Sequence, residues 1–159
     1  MFLTVHATAA ALIGEQTQSI SLAFILGLLS HLILDMIPHG DEVIFDRRLG
    51  EKVWKRRLWL GSTLDTLGVA ILTMVLWKNN LINLSGPTIS CLIGSLLPDY
   101  LFGFKETFKL DVLLNYPQKI FTFFHDFFKV RISPLKGALV QIIILTIFIY
   151  LLTLNKPTP

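Results

Sequence analysis

Four histidines are spread over 159 residues, and two of them fall in a stretch that also carries two carboxylates. His31 and Asp35 stand four residues apart in an apolar run, which Pro38 ends before His39 and Asp41 follow. Side chains at i and i+4 share one face of a helix. Gly27, one turn earlier, leaves that face bare, so a neighbouring helix can come close. Imidazole and carboxylate together are the ligand set of zinc, manganese or iron, with zinc foremost for this mixture. A divalent metal would neutralise carboxylates that could not otherwise stay ionised side by side in a low dielectric. With one coordination position open, such a metal lowers the pKa of bound water and polarises a phosphoryl or carbonyl oxygen, which is metal-assisted hydrolysis.

Three more ionisable residues interrupt apolar runs: His6, Asp65 and Asp99. The candidate metal ligands are therefore His6, His31, Asp35, Asp65 and Asp99, while His39 or Asp41 would complete the site or serve as a general base. Each also has a plainer reading. His31 with Asp35 can be a hydrogen bond between packed helices, and Asp65 and Asp99 can be protonated or capped acids near a helix end. His6 can be a packing histidine, and His39 with Asp41 a solvated turn after a proline. His125, set among Phe123, Phe124, Phe127 and Phe128, reads as a polar notch in an amphipathic helix. Other chemistries lack their motifs: there is no glycine-rich phosphate loop, no Gly-x-Ser-x-Gly elbow, no Cys-x-x-Cys pair and no His-Glu-x-x-His helix.

The elements that must hold these residues are helices in an apolar medium. Hydrophobic residues make up 53% of the chain and charged ones 16%, with a mean hydropathy of +0.64, outside the usual soluble balance. The pattern predicts a single all-α domain, an integral membrane bundle of about five hydrophobic helices at residues 2–13, 19–37, 58–77, 84–104 and 135–154. The first would be about 18 Å long, short of a hydrocarbon core about 30 Å thick, so it either dips in or is drawn deep by its neighbours. Part of the loop before residue 58, around 51–57, is a candidate surface helix. Residues 105–133 mix phenylalanines with lysines around Pro117 and read as an interfacial amphipathic segment. The last span carries neither acid nor histidine and is most simply an anchor.

The basic residues give the orientation. If all five helices cross, twelve of the fourteen lysines and arginines lie on one side, which the positive-inside rule assigns to the cytoplasm together with the N-terminus. The expectation is a multi-pass protein of the inner, or plasma, membrane in contact with lipid. The net charge of +3 reports that orientation and calls for no nucleic-acid partner. No basic region precedes the first apolar run, which argues against a cleaved signal peptide. Cys91 is the single cysteine and reads as a small buried hydrophobe. The same threading brings His6, His31, Asp35, Asp65 and Asp99 to one depth near the cytoplasmic face.

Two stretches resemble known families. The run from His31 through Asp35 to Pro38 and His39 resembles the His-x-x-x-Asp helix and following Pro-His segment of the zinc-dependent phospholipase C and S1/P1 nuclease superfamily, with the second histidine two residues sooner. Leu97-Pro98-Asp99 resembles the Leu-Pro-Asp motif of the small prokaryotic membrane-bound metal-dependent hydrolases, although here it comes late and continues into Tyr100. The resemblance implies metal ligation by His31, Asp35, His39 and Asp99, and a hydrolase. The expectation is thus a membrane-embedded metal-dependent hydrolase acting on a phosphoester, such as a lipid head group at the cytoplasmic leaflet. The alternative is a non-catalytic metal-binding, carrier or assembly protein with the same polar cluster. A transport path would need polar groups in the outer half as well, where Ser85, Thr88 and Ser90 are the main ones.

Overall fold

The computed structural model describes residues 1–108, 119, 123–124, 127, 130 and 132–155, the side chain of Glu42 excepted. Among them the chain is all-helical: α1 (Leu3–Glu15), α2 (Ile20–Asp35), α3 (Asp41–Ile44), a short 3-10 turn (Arg47–Leu49), α4 (Glu51–Lys78), α5 (Gly86–Phe108) and α6 (Pro134–Leu154). Most of the expected interfacial segment, His125 included, lies outside the described residues.

Helix α1 is the centre of the molecule. Val5 through Ala11 are all buried, and the helix touches α2, α4, α5 and α6. Its alanines are the reason, because a helix that is apolar all round and thin lets four neighbours close over it. Met1, Val5 and Ala9 pack with Leu34 against Ile144 and Phe148, while Ala11 meets Leu76, Ile82 and Leu152 at the far end. The helix that looked too short to cross is enclosed by four neighbouring helices.

The largest helix contact is α2 on α5, and two glycines set its depth. A Cβ on Gly27 would overlap the Cys91 carbonyl oxygen, and one on Gly94 would overlap that of Phe24. The two backbones touch in both directions, which brings the polar residues of both helices within reach of α1.

Boundaries differ from the sequence expectation where local signals were weak. Helix α4 runs unbroken from Glu51, so the expected surface helix and the following span are one element; the stretch around Arg57 holds no proline or glycine to stop it. Helix α2 ends at Asp35, two residues before the expected stop, because Pro38 disfavours helix in the residue before it. Helix α5 passes Gly103 and continues to Phe108, past the expected end at 104. Pro134 opens α6, and the Ser133 hydroxyl accepts from the Lys136 amide.

Two helices, α4 with 28 residues and α6 with 21, are long and apolar enough to cross a membrane. Their outer faces carry exposed Leu60, Leu64, Leu67, Ile71, Ile142, Ile143 and Ile147.

Candidate metal centre

Three helices meet at one cluster. His6 from α1 and His31 from α2 stack with ring centroids 4.1 Å apart, and Asp99 comes from α5. His6, His31 and Asp99 each place one potential ligand atom so that all lie within 4.8 Å of one another. His6 and His31 are at most 2% exposed.

Asp35 is held between the two imidazoles. Its Oδ1 lies 3.1 Å from His6 Nε2 and its Oδ2 lies 3.2 Å from His31 Nε2. His31 Nδ1 is 2.8 Å from the Ser95 carbonyl oxygen, and a carbonyl can only accept, so that nitrogen carries the proton. In the neutral ring Nε2 then bears a lone pair turned toward a carboxylate, an arrangement that calls for a cation or an added proton. His6 poses the complementary problem. If it donates from Nε2 to Asp35, its Nδ1 is an acceptor, and that atom is buried without a hydrogen-bond partner among the described residues. A ring nitrogen fixed by a carbonyl or carboxylate, with the other nitrogen left for a metal, is the usual outer-sphere pattern of metal-binding histidines. The donor set fits zinc, since nitrogen and carboxylate oxygen are both among its ligands. Ser95 also ties α5 to α1, its hydroxyl donating to the His6 carbonyl at 3.2 Å.

A second group of polar atoms adjoins the first through Asp35. The Met1 amino nitrogen lies 2.7 Å from Asp35 Oδ1, 2.8 Å from His39 Nε2 and 3.3 Å from Asp41 Oδ2. His39 Nε2 is also 2.7 Å from Asp41 Oδ1, while its Nδ1 donates to the Ile37 carbonyl at 2.6 Å. Burial alone would lower the basicity of the Met1 amine, but Asp35, Asp41 and Asp99 outweigh it and raise its pKa to about 11. Burial alone would likewise raise Asp41; the Met1 ammonium and the His39 imidazole prevail and hold that carboxyl below the usual carboxylate range.

Of the seven residues singled out in the sequence, six converge here: His6, His31, Asp35 and Asp99 in the helical cluster, His39 and Asp41 in the adjoining turn. Asp65 does not join them. It sits at the N-terminus of α1, where Oδ2 accepts from the Leu3 amide at 2.6 Å and Oδ1 from the Thr4 amide at 3.1 Å. Those amides have no partner within their own helix, and a carboxylate from α4 satisfies two of them and complements the helix dipole. Depth alone placed Asp65 with the ligands; its side chain is committed to the backbone of α1.

Three participants escaped the sequence reading: the Met1 amine, Ser95, and Gln141 of α6, whose Nε2 donates to the His39 carbonyl oxygen. Ser95 acts through its main-chain oxygen, which no side-chain pattern reveals. Gln141 is a lone amide in an otherwise apolar helix, and that isolation was the available signal.

Comparison with protein families, with curated proteins and with solved structures finds no match to this chain.

Proposed function

We propose that this is a multi-pass membrane protein that binds a divalent metal, zinc foremost, at His6, His31 and Asp99, with Asp35 in support, and uses it to hydrolyse a phosphoester such as a lipid head group at the cytoplasmic leaflet. The observation that carries the reading is the convergence of those three residues, from three helices, to within 4.8 Å. The apolar outer faces of α4 and α6 support the membrane setting, since exposed surface of this kind is stable against acyl chains and not against water. Helices α1, α2 and α5 would then complete a five-helix bundle, with the basic turn before α4 in the cytoplasm.

A bound metal would supply Lewis-acid polarisation of a phosphoryl oxygen and a more acidic water. The chain's own groups divide the remaining tasks. Asp35 orients the His6 and His31 rings; Ser95 holds the His31 tautomer through its carbonyl; His39 or Asp41, in the adjoining turn, would take a proton. Metal content and phosphoester turnover of the purified protein, compared with His31→Ala, test the reading. Loss of both in the variant is expected, and metal retained by His31→Ala overturns the ligation.

A second reading, a structural or carrier metal site without hydrolysis, is favoured by one observation: His6, His31 and His39 are all nearly inaccessible. Metal bound by the wild type at full occupancy with no turnover of any phospholipid would select it.

A further inference from the structure

We infer that α6 is the element that positions the His39–Asp41 arm of the site, with Gln141 as the positioning residue and Gly137 as the gap that admits the arm. By sequence this helix was an anchor, yet its one carboxamide is only 4% exposed and points inward. The Gln141 Oε1 accepts from the Phe2 amide at 2.8 Å, and its Nε2 donates to the His39 carbonyl oxygen at 3.0 Å. Both partners are main-chain groups of fixed polarity, so the amide can sit in one orientation only. In an apolar medium each group would be costly to leave unmet, which makes the contact a firm one.

The backbone contact beside it is as close as backbones come. A Cβ on Gly137 would overlap the His39 carbonyl oxygen and stand 2.9 Å from the Gly40 Cα. Gly40 in turn has φ +74°, and a Cβ there would lie 2.9 Å from the Ser133 carbonyl oxygen. The arm therefore docks on the first turns of α6 through two glycines and one carboxamide. Since His39 Nδ1 is tied to the carbonyl of Ile37 two residues earlier, the ring moves with its backbone. Whatever shifts the His39 backbone shifts the Nε2 that faces Asp41 and Met1. For what the arm does once positioned, the inference rests on the metal reading above; the positioning itself does not.

The test is nitrogen NMR of 15N-histidine-labelled, metal-free full chain in lipid nanodiscs, followed by Zn2+ titration of the same samples. Gln141→Leu and Gly137→Ala are expected to move the His39 ring resonances, assigned by their disappearance in His39→Gln, and to leave those of His31 in place. Thr146→Val, on the same helix and bonded to the Ile142 carbonyl within it, should change neither. Gln141→Leu should then leave Zn2+ affinity, set by His6, His31 and Asp99, near the wild-type value. It should lower phosphoester turnover by about tenfold or more, as loss of outer-sphere support does, and should cost nothing further in a His39→Gln background. Unmoved His39 resonances, equal movement of His39 and His31, or an additive loss in the double variant would overturn the proposal. If Gln141→Leu does not fold, Gln141→Met removes the donor to His39 with an unbranched side chain of similar length, and the same displacement is expected. A wild type that takes up no Zn2+ while the His39 displacement is seen would sink the metal reading and leave the positioning intact.

Discussion

The carbonyl oxygen of Ser95 on α5 sets the tautomer of His31 on α2. At 2.8 Å it accepts a hydrogen bond from the protonated Nδ1 and leaves Nε2 facing Asp35. The bond spans two helices whose backbones touch at Gly27 and Gly94, so a ligand-ready nitrogen depends on two residues that have no side chain.

Gly94→Ala is therefore expected to act at a distance from its own position. The added methyl meets the Phe24 carbonyl oxygen, which is backbone and cannot swing aside, so α2 and α5 must separate. Overpacking of this kind costs about 1–3 kcal/mol, and the His31 to Ser95 bond should weaken with it. Thermal unfolding followed by circular dichroism, together with Zn2+ affinity, checks this. An unchanged midpoint would mean that the helices are not held at backbone contact.

Asp65 distinguishes a cap from a ligand. Asp65→Ala removes the acceptor for the Leu3 and Thr4 amides and should destabilise the protein by about 0.5–2 kcal/mol, the usual range for a lost helix cap. Metal stoichiometry should stay at the wild-type value. A variant of normal stability that had lost its metal would restore Asp65 to the ligands.

The pH dependence of the metal-free protein follows from the ion pairs around Met1. The amino group is raised from 8.0 to about 11, so its contribution to stability is complete below pH 8 and lost as the pH climbs from 8 through about 11. Asp41 is shifted the other way; its contribution is present above about pH 4 and lost as the pH falls further. Thermal midpoints measured from pH 6 to 11 should decline above pH 8, and Asp41→Asn should flatten that decline. A midpoint that holds steady across the alkaline range in the wild type would show that the amine and the carboxylates are not paired.

Much of the candidate site was legible because its chemistry is incompatible with its surroundings. His31, Asp35 and Asp99 stand out in apolar runs, and the i, i+4 spacing put the first two on one face before any fold was known. The bare face at Gly27 foretold a close neighbour, which is Cys91 on α5. Asp65 misled for the same reason: an acid in an apolar helix signals a purpose, but depth does not say whether that purpose is a metal or a pair of backbone amides.

The amino-acid sequence alone determined that the chain is helical and apolar, and that a few imidazoles and carboxylates must find partners inside it, since hydrophobic periodicity and the cost of buried charge are local properties. Only the tertiary structure decided that α1 is the hub, that Asp65 caps it, and that α6 holds His39 through Gln141. Those outcomes depend on which backbone atoms come within hydrogen-bond reach of a side chain, and main-chain positions are common to every residue, so no pattern of side chains encodes them.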